Sequence, residues 1–360
     1  MPNILIAGGG SGGHVAPAIA VAETLTAKGH QCILAHSQRA IDKLMVEQTP
    51  FSHFTLDASP LSLRPIGCIR FIRGFWQSEK TVRLYIKQNE IKCVISTGGF
   101  VSAPALRAAK KINCPTVMLN FDDPPGKANR LAVRWADRVL TTVPCQLDSA
   151  TLVNPPLRKC ALASSNSFQT YSEYDLNPQK MTLLVTGASQ GATSINAFIP
   201  ALAKRCASLF QGWQVLHIAG SGNVQEVKKL WDETNVQHKV IAFEQRMGNA
   251  WGISDLAVTR GGANTIAEIA INAIPAIVLP YPYHKDEHQK TNALPLQSIG
   301  GILIEKDYVN VQANIASAGN TLLQLLKDHQ QRLTMRQALV THTPSNGSST
   351  IAEACIELIG

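Results

Sequence analysis

The chain has 360 residues, 45% hydrophobic and 16% charged, enough for two domains with cores of their own. It holds no uninterrupted apolar run of about 18 residues, which excludes a spanning helix, and it opens on a strand without a leader pattern, which points to the cytoplasm. The eight cysteines form no C-x-x-C pair and read as buried thiols, and the formal charge of +8 calls for an acidic partner. No nucleic-acid module accompanies that charge, so no nucleic acid is expected.

Ile4–Ala7 suit a buried parallel strand, and GGGSGGHVAP (8–17) follows. Val15, Ile19, Ala22 and Leu25 then recur at helical spacing, with Pro17 placed in the first turn and Lys28–Gly29 closing the helix. A strand, a glycine turn and a helix N-terminus make a place for an anion. A tight turn needing positive φ is the plainer alternative. Gly8, Gly10 and Gly13 also spell G-x-G-x-x-G. A strand over Cys32–His36 is followed by Ser37, Gln38 and Arg39, with no carboxylate for an NAD ribose. Ser37 and Arg39 could hold a 2′-phosphate, which leaves an NADP oxidoreductase as a rival.

Residues 60–92 set Arg64, Arg70, Arg73, Lys80, Arg83 and Lys87 among Ile66, Ile69, Phe71, Ile72, Phe75 and Trp76. This mixture suits an anionic membrane surface, or equally a core helix with a solvated basic face. Lys92–Ser96 and Thr116–Leu119 read as further strands, and residues 163–180 as a polar linker. The opening pattern then returns: strand Met181–Thr186, turn GASQGA, helix Ser194–Leu202. Further strands are expected at Gln214–Ala219, Lys239–Phe243, Leu256–Thr259 and Ala276–Pro280. The alternation predicts an α/β protein with two doubly wound domains, 1–162 and 163–340, facing each other across a ligand cleft. Residues 341–360 are expected as a helix packing back on the first domain.

RGGANTIAE (260–268) follows the strand LAVT. Gly261 and Gly262 admit a ligand, Asn264 or Thr265 can cap the helix, and its first amides can cradle a diphosphate. Glu268, about one turn further, can accept from vicinal hydroxyls; its plainer role is to complement the helix dipole. HKDEH (284–288) matches an inverted zincin pattern, but that motif needs the middle of a helix and this one follows a strand on a proline-bearing loop. No D-x-D follows a strand, and Asp122–Asp123 in FDDPPG reads as a turn.

GGGSGGHVAP, GASQGATSIN, RGGANTIAE and PYPYHKDEHQKTNAL, in this order and spacing, resemble the motifs of the MurG family of peptidoglycan N-acetylglucosaminyltransferases, glycosyltransferase family 28. The resemblance spans nearly the whole chain. It implies the GT-B fold and inverting transfer of GlcNAc from UDP-GlcNAc to the undecaprenyl-linked lipid I, without metal or cofactor. It also implies a peripheral location on the cytoplasmic face of the plasma membrane. Carried over by position, Ser11, Gly12 and Gly13 would meet the acceptor diphosphate, Arg158 would lie near the donor, and Ser189 near the donor diphosphate. The backbone at Phe243 and Glu244 would hold uracil, while Ala263, Asn264 and Thr265 would hold phosphate. Glu268 would hold the ribose, and Gln289, with His288 replacing a second glutamine, the donor sugar. One block departs: Leu119, Asn120, Phe121 and Asp122 stand where the family has His-Glu-Gln-Asn. His14 is the leading candidate for the base and Asp122 the second; a structural His14 is the alternative. Two rival functions remain open: a related UDP-sugar transferase with another acceptor, and a nucleotide-sugar-binding protein without turnover.

Overall fold

Short apolar runs fold as parallel strands where helices cover both faces, and this chain does so twice. The computed structural model describes every residue except 1, 63, 148, 164–166, 188–191, 284–286 and 343–344. Two units result: Met1–Arg158 with Ser345–Gly360, and Lys159–Pro344.

In the first unit, β1 (Asn3–Gly8), β2 (Gln31–Ser37), β3 (Ser52–Leu56), β4 (Ile91–Gly98), β5 (Thr116–Asn120), β6 (Arg138–Thr141) and β7 (Thr151–Leu152) make one sheet. Its order is β3-β2-β1-β4-β5-β6-β7, with every pair parallel. The connecting helices are α1 (Gly12–Ala27), α2 (Ala40–Glu47), α3 (Pro65–Gln88), α4 (Ser102–Lys110) and α5 (Lys127–Ala132). Alternate residues of β1 serve opposite layers. Ile4 and Ile6 pack with Val15 and Ile19 of α1, and Leu5 and Ala7 with Val82 of α3 and Leu106 of α4.

The second unit has β8 (Met181–Thr186), β9 (Trp213–Ile218), β10 (Gln237–Ile241), β11 (Leu256–Thr259), β12 (Ala276–Val278) and β13 (Ile302–Ile304). They run parallel in the order β10-β9-β8-β11-β12-β13. Its helices are α6 (Ser167–Glu173), α7 (Thr193–Arg205), α8 (Val224–Asp232), α9 (Met247–Gly252), α10 (Ala263–Asn272) and α11 (His288–Ser298). Next come α12 (Val311–Asn314), a π turn at Ile315–Gly319, α13 (Asn320–Lys327) and α14 (His329–His342). The terminal helix α15 (Ser348–Ile359) belongs to the first unit, where Ile351 and Cys355 pack in the layer with α1.

Three local expectations change. Residues 163–180 are not a bare linker, because they carry α6 and bury Tyr174 and Leu176 in the second core; so few apolar residues leave no period to read. Pro17 is inside α1 rather than in its first turn, because the helix already begins at Gly12. Pro17 therefore offers no N–H to the Gly13 carbonyl. Phe75 is half-buried against the core with Trp135 at 6.4 Å, so it is not a surface aromatic.

Both sheets reverse strand order beside their first strand, between β1 and β4 and between β8 and β11. In open α/β sheets such a switch point leaves a crevice at the carboxyl ends of the strands, where ligands bind.

Candidate active site

In the first unit, the loops leaving β1 and β4 meet at the switch point. Ser11 is the N-cap of α1 in extended conformation, and its side chain makes no capping hydrogen bond. Gly12 and Gly13 open its first turn, and Ser11 and Gly13 are exposed. Gly98, the last residue of β4, and Gly99 after it have φ of +103° and +79°, and a Cβ on Gly99 would overlap the Gly9 carbonyl. Only glycine allows the two loops to lie this close.

His14 sits in that junction. Its Nδ1 is 3.1 Å from the Thr97 carbonyl, and Thr97 Oγ1 donates to the His14 carbonyl at 2.8 Å. A carbonyl can only accept, so Nδ1 carries the proton and a neutral ring leaves Nε2 as a bare acceptor. Burial lowers the His14 pKa below its ordinary 6.5, outweighing Asp122, the Thr97 hydrogen bond and Asp42, which all raise it. The ring is therefore neutral at pH 7.

A carboxylate does follow β2, at Asp42 on α2, but it faces the protein. Asp42 is fully buried, and its Oδ2 accepts from the Gly10 amide at 2.6 Å and the Ser37 hydroxyl at 2.5 Å. Arg39 donates to the Gly10 carbonyl and lies 5.3 Å from the Phe100 ring centroid. A Cβ on Gly9 would run into the Ser37 amide and Asp42. The groups an NADP site would use are thus engaged in holding the glycine loop.

The divergent block lies at the end of β5. Leu119 and Asn120 are fully buried. Asn120 Nδ2 donates to the Asp122 carbonyl at 2.8 Å, and its Oδ1 accepts from Asn129 at 3.0 Å, which shapes the turn. The Phe121 ring lies 6.5 Å from that of His14, and Asp122 is exposed. Arg158, half-buried, is the last residue of the first unit's main segment.

In the second unit, Ser189 lies outside the described residues. After β11 the N-cap of α10 is Gly262, so Asn264 and Thr265 belong to the first turn and do not cap it. The N-cap of α10 supplies no side-chain oxygen either, because it is a glycine. A Cβ on Gly261 would overlap the Gln289 carbonyl, and Asn292 donates to the Gly261 carbonyl at 3.1 Å. This contact brings the start of α11, His288 and Gln289, to the start of α10. Gln289 Oε1 accepts from the Tyr281 amide at 2.9 Å. Behind them, Arg260 (6% exposed) pairs with Asp307 at 2.7 Å and donates to the Leu279 carbonyl at 2.9 Å and Ser194 Oγ at 2.9 Å. Burial alone would raise the Asp307 pKa, yet it falls, because Ser194, Asn314, the Val309 amide and Arg260 favour the anion.

Phe243 is exposed beyond β10, while Glu244 is committed to the Tyr174 hydroxyl at 2.5 Å and the Arg246 amide at 2.7 Å. Burial, then the Glu244 hydrogen bond, push the Tyr174 pKa up. Glu268 lies in the second turn of α10, half-buried, its Oε2 accepting from the Trp251 indole at 2.9 Å. Among the described residues, no group of three or more His, Cys, Asp or Glu could hold a metal ion. His284 of the zincin-like pattern lies outside the described residues.

Thr97, Gly98 and Gly99 escaped the sequence reading although STGGF repeats the strand–glycine–helix signal. Asp42, Trp251 and Asp307 carried no local signal, because their partners are distant in sequence.

The fold is that of the GT-B glycosyltransferases, two Rossmann-like α/β units with uncapped helix N-termini at their switch points. Residues 4–141 match the glycosyltransferase family 28 N-terminal domain and residues 182–354 its C-terminal domain. The chain belongs to this family. It is 34% identical, over 87% of its length and 88% of the relative's, to the UDP-N-acetylglucosamine--N-acetylmuramyl-(pentapeptide) pyrophosphoryl-undecaprenol N-acetylglucosamine transferase of Tropheryma whipplei. It is 31% identical to the enzyme of the same name from Haemophilus ducreyi, over 99% of both chains. The crystal structure of Acinetobacter baumannii MurG shares the fold, with a TM-score of 0.75 at 21% identity over 99% of this chain and 100% of that one.

Proposed function

We propose that this chain transfers GlcNAc from UDP-GlcNAc to lipid I, inverting the anomeric carbon and forming lipid II. The observation that carries this function is the end-to-end likeness to transferases of that name. The local geometry supplies the chemistry. The first-turn amides of α10, at Ala263, Asn264 and Thr265, hold the donor diphosphate and offset its charge as UDP departs. Glu268 accepts from the ribose hydroxyls, the backbone at Phe243 and Glu244 meets the uracil, and His288 and Gln289 read the sugar. Ser189 and Arg158 complete the donor contacts. Ser11, Gly12 and Gly13 meet the acceptor diphosphate at the start of α1. The acceptor hydroxyl attacks the anomeric carbon while His14 Nε2 takes its proton.

The lipid-linked acceptor calls for a membrane, and α3 supplies a surface for one. Ile66, Ile69, Ile72 and Trp76 are exposed beside Arg64, Arg70 and Arg73. Apolar side chains amid arginines suit an anionic leaflet, on the cytoplasmic face of the inner membrane. No helix among the described residues is long and apolar enough to cross a bilayer.

A second function, transfer to another lipid or small-molecule acceptor, is favoured by Leu119 and Asn120, which are turned into the interior. Labelled UDP-sugars incubated with a lipid I analogue separate the cases. GlcNAc incorporation into the analogue is expected. Transfer of another sugar, or to another acceptor alone, supports the second function, and binding without product makes the chain a nucleotide-sugar-binding protein.

A further inference from the structure

We propose that Trp251 is a positioning residue that aims the Glu268 carboxylate at the donor's ribose and so selects ribonucleotides over 2′-deoxyribonucleotides. This rests on the ribose role proposed for Glu268. Trp251 belongs to α9, is 0% exposed, and packs in the same core layer as Ile266 and Ile269 of α10. Its indole N–H donates to Glu268 Oε2 at 2.9 Å. An indole N–H can only donate, and in a dry core it needs an acceptor. Turning the carboxylate away would strand that proton, so a ring immobilised by packing dictates where a flexible side chain points.

The consequence is preorganisation. A free glutamate must freeze its rotatable bonds when a ligand arrives, and a glutamate already held by the indole has met that cost during folding. A carboxylate offers about four lone-pair positions, so it can keep the indole and still accept from vicinal hydroxyls. The same helix presents its uncapped N-terminus for phosphate. Ribose and diphosphate are therefore measured from one rigid element.

The test is calorimetric binding of UDP and 2′-deoxy-UDP to the wild-type chain, Trp251→Phe and Glu268→Ala. Phenylalanine keeps an aromatic ring and removes the N–H. The wild-type chain should prefer UDP, and Glu268→Ala should lose the preference. Trp251→Phe should reduce the preference by about tenfold, since one hydrogen bond to a charged group is at stake. A Trp251→Phe chain that keeps the wild-type preference while Glu268→Ala loses it overturns the inference and leaves the ribose role standing. Retention of the preference by Glu268→Ala instead overturns the ribose role itself. Should Trp251→Phe fail to fold, the wild-type indole N–H resonance of Trp251 decides. It should move further with UDP than with 2′-deoxy-UDP, and a resonance that treats both alike refutes the link.

Discussion

Replacing His14 by alanine removes the proposed base. General base catalysis is worth about 10²–10⁴-fold, and the structure argues for the lower end. Burial depresses the His14 pKa, so the ring accepts a proton less avidly than a free histidine. A loss in kcat of about a hundredfold is expected, equivalent to ~2.7 kcal/mol of barrier. The donor KM should stay within about twofold, because all the proposed donor groups except Arg158 lie in the second unit. The base works only when neutral, so wild-type kcat/KM should fall as pH drops through a value below the ordinary 6.5. That acidic limb should vanish in His14→Ala. Asp122→Asn sharpens the test, because the Asp122 charge raises the His14 pKa. Removing it should move the limb to still lower pH without abolishing it. Turnover assays from pH 4.5 to 8.5 would decide. A limb that survives His14→Ala and disappears in Asp122→Asn would make Asp122 the base; one that survives both leaves the proton to water.

Glu268→Ala should raise the donor KM by roughly ten- to a hundredfold, from the roughly 1.5–3 kcal/mol of a charge-assisted pair, and unchanged donor affinity would reduce Glu268 to a partner of Trp251. Exchanging Ile66, Ile69 and Ile72 for serine should weaken sedimentation with anionic vesicles while turnover on a soluble acceptor analogue persists; equal vesicle binding would exclude α3 as the docking surface. Asp42→Ala strips the acceptor from the buried Gly10 amide and should cost about 1–3 kcal/mol in chemical denaturation. Asp42→Asn should recover part of that loss, and an unchanged midpoint in Asp42→Ala would mean the loop holds itself. Dialysis against a chelator should leave turnover intact, and activity restored only by added divalent cation would contradict charge stabilisation by helix amides.

Much of the fold was legible in local pattern. Apolar runs followed by glycines and helical spacing located β1, β8 and β11 closely, because a strand covered on both faces must be continuously apolar. The unread strands β3, β6, β7 and β13 are short, and β3 and β7 leave several residues exposed, so no run marked them. The glycines at helix starts were visible in the sequence, since Gly12, Gly13, Gly261 and Gly262 stand beside the helices they open. Side chains acting through distant partners were not visible. Asp42 reaches back 32 residues to Gly10, His14 forward 83 to Thr97, and Arg260 pairs with Asp307 across the end of the second sheet. The exposed isoleucines of α3 read equally as core until burial separated them from Phe75. Residue type and spacing alone determined that this chain builds two glycine-gated helix N-termini. Only tertiary structure decided which proton His14 carries and what Asp42 and Trp251 hold in place, because a hydrogen bond depends on where folding brings the donor and acceptor, not on their separation in sequence.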